Sequence, residues 1–507
     1  MILICGASGL VGREMCRLLD DKKMEYIGTY NKNEINQPNM YKVDFFDASQ
    51  VEEFLVLHKI TVCIFSIVER VTDVCENNWN EIKKTNIDFV HTTSYLCNQL
   101  NIKFIHLSTD YVFDGSTQPN YPDSSKNPLQ NYGISKLISE YRVLANCKKY
   151  CIIRTPVLYS ELSKLHDNAV TLIAKNIMDI RNKKKTEDHY SIRRPLFIPD
   201  LCRFIYDCID NYNGIHHFYN PYNTFTKYAI CTKIGSYLGI QTENITPNNN
   251  KSEGIAPRPY DTQLQDDTFD ITNYSFTDFD ETIMVCFEKY KHPKINVENK
   301  HDLFICLDMD GTIIETNTAH YNAYKKAFEK RNMDFLHLDK WNHIIQTGNI
   351  DHYLKTVFNE DEFQKLKREK LQLLSEEPIT FTKNSEGFLS FLIENDFNFC
   401  IVTNTNKKTV ELFKEKLPLL KEIKQWIYRD DYQLSKPDPE CYELAKQKYS
   451  KKAKYMIGFE DSVVGYNALK HHTDYIYIYG SETIFKNNDC YLFDDYMCVQ
   501  NSFAVNK

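Results

Sequence analysis

At 507 residues the chain is well past the roughly 250 to 300 at which a single hydrophobic core stops growing, so two or more domains are expected. Its apolar share of 42%, with 34 tyrosines and 30 phenylalanines, excludes disordered and collagen-like classes. A formal net charge of -8 speaks against a nucleic-acid partner.

The sixteen cysteines are scattered singly, from Cys5, Cys16, Cys63, Cys75 and Cys97 onward, without a CxxC pair or a zinc-type spacing, and read as reduced thiols. A strand beginning at residue 2 leaves no room for a leader, and no apolar run approaches the roughly 20 residues of a membrane span. A reducing, cytoplasmic setting with no membrane contact is the expectation.

Through about residue 155, short β-rich runs alternate with amphipathic stretches, the rhythm of an α/β doubly wound parallel sheet. The predicted strands are Ile2–Cys5, Tyr26–Thr29, Val62–Ser66, Phe104–Leu107 and Cys151–Arg154, with helices over Val11–Leu19 and Trp79–Leu100. The less regular stretch that follows suits a substrate-covering region. His292 to His301 is polar and aperiodic, which places a linker at 292–301 between domains 1–291 and 302–507. Beyond it the strands are Leu303–Leu307, Phe399–Thr403, Trp426–Tyr428, Tyr455–Ile457 and Tyr475–Tyr479, with a helix-rich insertion up to about residue 384.

Gly6, Gly9 and Gly12 stand between a strand and a helix. Absent side chains let a pyrophosphate approach the backbone, and the helix start offers free N–H groups, so Gly6, Ser8, Gly9, Leu10, Val11 and Gly12 are expected to cradle a dinucleotide. No acid follows the second strand. Lys32 is placed instead to pair with a 2'-phosphate, which favours NADP(H) over NAD, and Asp44 closes the next short strand where an adenine amino group would donate. Tyr132 and Lys136 stand at i and i+4 on one helix face, and a nearby ammonium is expected to lower the phenol pKa towards that of a useful general acid. Thr109 leaves a buried strand in Leu107-Ser108-Thr109-Asp110-Tyr111-Val112-Phe113-Asp114-Gly115.

These motifs, with NPLQNYGISK, IIRTPVLY and Arg258-Pro259, make residues 1 to about 290 resemble an extended short-chain dehydrogenase/reductase, nearest to the dTDP-4-dehydrorhamnose reductases. The resemblance implies an NAD(P)-binding Rossmann fold, Thr109, Tyr132 and Lys136 as the catalytic set, hydride transfer to a nucleotide-linked 4-keto-6-deoxy sugar, and cofactor contacts from Asp44, Lys136 and the Arg154 to Val157 turn. The Ser66 to Asn77 segment departs from that family. Together with Ile153 to Tyr159 it is similar to the regulatory β subunit of methionine adenosyltransferase, which implies an NADP-binding module that docks on a partner enzyme; a homo-oligomer is the other assembly considered.

The second half opens with Leu307-Asp308-Met309-Asp310-Gly311-Thr312. Strand alternation sends both carboxylates to one side, Asp308 as nucleophile and Asp310 as acid/base. Thr403 ends a later strand as a phosphate donor, Lys436 precedes a helix as a point charge, and Glu460 and Asp461 end another strand. With Asp308 these acids suit Mg2+. The order of the four motifs resembles the haloacid dehalogenase-like hydrolases over 302 to about 480, in the phosphatase and β-phosphoglucomutase-like branch. That resemblance implies an aspartyl-phosphate on Asp308, protonation by Asp310, phosphate contacts from Thr403 and Lys436, and Mg2+ on Asp308, the Asp310 carbonyl, Glu460 and Asp461. A helical cap over about 314–384 would cover a phosphate-ester substrate. Phosphatase is favoured over mutase because nothing identifies a bisphosphate cycle.

Overall fold

The computed structural model describes the chain apart from residues 32–34, 36, 162–167, 179–184, 239, 241, 243–244, 252–253, 289–299, 348–349, 451–452, 481–489, 494, 501–502 and 504–507. Lys32 and most of the expected linker lie outside the described residues. The chain forms two compact units, with the main border between Glu288 and Lys289.

In the first unit seven strands make one parallel sheet: β1 (Ile2–Cys5), β2 (Tyr26–Tyr30), β3 (Met40–Lys42), β4 (Val62–Phe65), β5 (Lys103–Thr109), β6 (Tyr150–Thr155) and β7 (Gly214–His217). Their spatial order is β7-β6-β5-β4-β1-β2-β3. Ile2 pairs with Tyr26 on one side and Val62 on the other, so the winding reverses at β1, and ligands of such sheets bind outside the strand ends at that reversal. Alternate residues feed two cores. Ile2, Ile4, Ile64, Ile105 and Ile153 pack with Leu19 and Phe204 on one face; Leu3, Cys5, Cys63, Phe65, Phe104 and Ile152 pack with Val51, Val90 and Leu96 on the other.

Two elements depart from expectation. The Trp79–Leu100 stretch runs as Trp79–Ile82, a wider π-type turn over Lys83–Asp88, and Phe89–Gln99. Such turns insert an extra residue, and here the turn carries the buried Asn86, whose amide exchanges hydrogen bonds with the Glu69 backbone (2.8 and 3.0 Å) and donates to Ser135 Oγ (3.1 Å). β7 had no apolar signature because half of it is His216 and His217; pairing with β6 makes it a strand.

The second unit repeats the plan with β8 (Leu303–Leu307), β9 (Phe399–Val402), β10 (Trp426–Ile427), β11 (Tyr455–Glu460), β12 (Tyr475–Tyr479) and β13 (Tyr491–Phe493) in the parallel order β10-β9-β8-β11-β12-β13. The reversal lies between β8 and β11. Between β8 and β9 the described residues form five helices, of which Asn317–Glu329, Leu338–Thr347, Ile350–Val357 and Glu360–Leu374 make up the insertion and Ser385–Glu394 leads back to the sheet. An antiparallel ribbon of Ile314–Glu315 with Thr380–Phe381 closes their base. Among the described residues no helix is long and apolar enough to cross a membrane.

Candidate active sites

The turn after β1 is shaped by close packing. Gly6 adopts φ +86°, and a Cβ on Gly12 would stand 2.1 Å from the Gly6 carbonyl oxygen, so only glycine lets the helix Leu10–Asp21 start this close to the strand. Gly6 N donates to Thr29 Oγ1 (3.2 Å) and Ala7 N to the Thr29 carbonyl (2.8 Å), which fixes the loop to β2. Ser8, Leu10 and Val11 are half-buried along it and Gly9 is exposed. Asp44 lies two residues beyond the end of β3 rather than on it; its carboxylate accepts from Phe46 N (2.9 Å) and it is exposed.

Thr109 ends β5, and Tyr132 and Lys136 ride the first turns of the helix Asn131–Asn146. A Cβ on Gly133 would meet the Tyr111 carbonyl oxygen at 2.2 Å, so this helix start is pressed against the loop that follows Thr109. The expected lowering of the tyrosine pKa is not what the surroundings produce. Burial and the Asp110 charge push the Tyr132 phenol up, with a hydrogen bond to Thr109 working the other way. The Lys136 amine instead lies 3.2 Å from His106 Nε2, which is itself 2.9 Å from Ser139 Oγ, and burial pulls Lys136 down to about 7. Arg154 is equally inward: it makes a two-pronged ion pair with Glu140 (2.8 and 3.0 Å) with both side chains 1% exposed, so its role is to tie β6 to the helix rather than to face a cofactor.

Sequence reading passed over Asp110, which is buried and accepts from the Thr109 hydroxyl (3.1 Å) and from the Thr262 hydroxyl. Burial raises it from 3.8 to about 6. The divergent Ser66 to Asn77 segment also packs here. Glu76 accepts from the Asn131 backbone N–H (2.7 Å) at the start of the Tyr132 helix, and Asp73 pairs with Arg258 (3.3 Å).

In the second unit the backbone N–H of Asp308 donates to the Phe459 carbonyl (2.9 Å), which ties the loop after β8 to β11. Gly311 then turns at φ +79°, and a Cβ there would meet Asp461 Oδ2 at 2.1 Å. Lys436 Nζ spends its three donors on Asp308 Oδ1 (2.6 Å), Glu460 Oε1 (2.6 Å) and the Val402 carbonyl (3.0 Å). Burial opposes this ammonium, but the charges of Asp308 and Glu460 outweigh it and hold Lys436 well above the usual lysine range. Thr312 Oγ1 donates to the other Asp308 oxygen (3.0 Å).

Three acids crowd that one cation. Oxygens of Asp308, Glu460 and Asp461 lie within 4.8 Å of one another; burial and neighbouring carboxylates push both Asp308 and Asp461 upward. Excess buried negative charge on hard oxygen donors is the chemistry that a divalent cation such as Mg2+ satisfies, so these residues fit the expected ion.

Asp310 is held apart by hydroxyls. Its Oδ1 accepts from Thr316 (2.8 Å) and its Oδ2 from Thr405 (2.7 Å) and Thr403 (3.1 Å). The Thr403 hydroxyl, expected to donate to a phosphoryl oxygen, here donates to Asp310. Above Asp310, His320 Nε2 lies 3.8 Å from Oδ1 and His320 Nδ1 touches Lys370 Nζ. Burial and Lys370 depress His320 well below its usual range, and burial draws Lys370 down to about 7. Thr405 had a local signal, two residues past Thr403. Lys370 had none, since it comes from the helix Glu360–Leu374 and meets His320, next to Asp310, only through the fold.

Two doubly wound parallel sheets with helices define a two-domain α/β protein. The chain belongs to the family described as RmlD substrate binding domain, whose model matches residues 1–292, and it continues as a haloacid dehalogenase-like hydrolase domain, matched over residues 304–473. Among curated proteins it is similar to methionine adenosyltransferase 2 subunit beta of Xenopus tropicalis, 28% identical over 269 residues covering 52% of this chain and 79% of that one. The Danio rerio counterpart is 27% identical over 304 residues, 58% of this chain and 92% of the relative. Among solved structures a dTDP-4-dehydrorhamnose reductase of Clostridium acetobutylicum superposes with TM-score 0.50 at 25% identity, covering 57% of this chain and 99% of that one.

Proposed function

We propose that the chain is a bifunctional enzyme in which an NADP(H)-binding reductase-type half is joined to a Mg2+-dependent phosphomonoesterase. The observation that carries the second activity is the Asp308, Lys436 and Asp461 constellation beside a separately oriented Asp310. In the reaction Asp308 attacks phosphorus, the ester P–O bond breaks, and the departing alkoxide takes its proton from Asp310. Water then attacks the aspartyl-phosphate and gives its proton to Asp310, which frees phosphate and the Asp308 carboxylate. Lys436 steers the nucleophile by direct hydrogen bond and offsets its charge. Asp308, the Asp310 carbonyl and Asp461 would hold Mg2+, which would supply positive charge for the phosphoryl oxygens when bound. Asp308→Asn is expected to abolish Mg2+-dependent hydrolysis of p-nitrophenyl phosphate; undiminished turnover would refute the assigned nucleophile.

For the first half the reading is NADPH-dependent reduction of a nucleotide-linked 4-keto-6-deoxy sugar. A bound NADPH would supply the hydride for C4, and Tyr132 would protonate the carbonyl oxygen. Supporting it are the tight Gly6 to Gly12 turn and the adjacency of Thr109 and Tyr132. A second reading, a non-catalytic NADP-binding module that docks a partner enzyme, is favoured by one observation: the Lys136 amine is directed to His106. The β-subunit relatives point the same way. NADPH oxidation with dTDP-4-keto-6-deoxyglucose, compared between the intact chain and Tyr132→Phe, separates the two. Substrate-dependent oxidation lost in the variant supports the reductase, whereas tight NADPH binding without oxidation supports the module. A cytoplasmic setting belongs to the same proposal.

A further inference from the structure

Proximity groups Glu460 with Asp308 and Asp461 as a possible cation ligand, but the hydrogen bonds around it describe a different job. Its Oε1 accepts from Lys436 Nζ (2.6 Å) and from the Tyr442 hydroxyl (2.7 Å). Its Oε2 accepts from Asp461 N (3.2 Å) and Ser462 Oγ (3.3 Å). Four donors fill the lone pairs that a carboxylate offers. The side chain is 1% exposed, and a Cβ on Gly465 would fall 1.8 Å from its Cδ, so it lies against the start of the helix Val463–Leu469. Asp461 points the other way, towards Gly311 and Thr312, whose hydroxyl is 3.5 Å from Asp461 Oδ1.

We infer that Glu460 is not a cation ligand but the fixed counter-ion of Lys436, and that Tyr442 is the positioning residue that holds it there. Tyr442 stands on the helix Glu440–Tyr449, six residues past Lys436, and is fully buried. Its hydroxyl grips Glu460 while its ring lies 4.8 Å below the Lys436 ammonium, so one side chain meets both members of the pair. With Glu460 pinned, Lys436 keeps a donor on Asp308 Oδ1, while Asp308 and Asp461 are left as the carboxylates for the cation. Gly465 is a requirement of the same arrangement, since any side chain would displace Glu460.

The inference rests on the phosphomonoesterase reading, and the tests keep the two distinguishable. Mg2+ affinity is measured calorimetrically on the full chain without substrate. Asp461→Asn is expected to weaken Mg2+ at least tenfold, whereas Glu460→Gln leaves it within about twofold; equal weakening by both overturns the inference whether or not the protein hydrolyses esters. If the wild type turns over, Tyr442→Phe is expected to lower kcat roughly tenfold with KM and Mg2+ affinity held, and the Tyr442→Phe, Glu460→Gln double variant to be no slower than Glu460→Gln alone. Additive losses would show that Tyr442 acts only through packing. Thermal unfolding checks that each variant folds, and Gly465→Ala supplies an independent route: kcat falls and Mg2+ affinity stays. A Gly465→Ala variant with unchanged kcat overturns the role given to Glu460.

Discussion

Asp110 illustrates how burial converts a motif residue into a titrating device. Its carboxyl lies between the hydroxyls of Thr109 and Thr262 with its pKa raised from 3.8 to about 6. In the unfolded chain it ionises near its ordinary value, so the folded form binds more protons in between. A raised carboxyl therefore contributes stability below about pH 4 that is lost as the pH rises towards 6, on the order of 3 kcal/mol for a shift of this size. Asp110→Asn removes the titration. Its stability relative to wild type is expected to rise between pH 4 and pH 7, read as hydrogen-exchange protection of the Lys103–Thr109 amides; a flat difference across that range contradicts the assignment. At the same scale, i, i+4 spacing puts Tyr132 and Lys136 on successive turns of one helix without fixing which neighbour each side chain meets. The ammonium one turn away found His106, and the dominant electrostatic neighbour became Asp110.

Elements are tied together by a few buried polar links. The Arg154 and Glu140 pair joins β6 to the helix Asn131–Asn146, and its remaining capacity goes to the Pro122 carbonyl (2.9 Å), His217 Nε2 (3.1 Å) and the Ser108 hydroxyl. Such a pair contributes little net stability as a unit, but removing one member strands the other charge. Glu140→Gln is expected to cost about 3 to 5 kcal/mol, visible as a fall in the urea midpoint of the first unit. The same helix start receives Glu76 from the divergent Ser66 to Asn77 segment. That segment thus bears on the placement of Tyr132, which gives its departure from the reductase pattern a structural consequence. In the second unit the helix Asn317–Glu329 brings His320 to Asp310, and the helix Glu360–Leu374 brings Lys370 to His320.

At the scale of the whole molecule, two compact units each carry their own doubly wound parallel sheet. A ligand that binds only the native form of one unit stabilises that unit by mass action, by about 2.7 kcal/mol at a hundredfold excess over Kd. Calorimetry of the full chain is expected to resolve two transitions, with NADPH raising one and Mg2+ the other. If both ligands raise a single common transition, the units unfold together and this reading of the chain fails.

Much of this arrangement was legible in the residues themselves. Strand periodicity located the inner strands of both sheets, because strands buried on both faces need unbroken apolar runs. Gly12 is required because a Cβ would strike the Gly6 backbone, and Gly6 and Gly311 because their turns run at positive φ. Asp308 and Asp461 could be placed at strand ends, and Lys436 just before a helix, from the residues alone. The edge strand β7, made half of histidine, carried no such pattern and owes its form to pairing. Roles that depend on direction were decided by the tertiary structure. Lys136 turning to His106, Thr403 and Thr405 serving Asp310, and Glu460 being claimed by Lys436 and Tyr442 each follow from which neighbour lies within about 3 Å, a distance at which hydrogen bonds form. Local sequence determines what groups a strand end can offer. Only the packing of distant segments determines which partner each group finds.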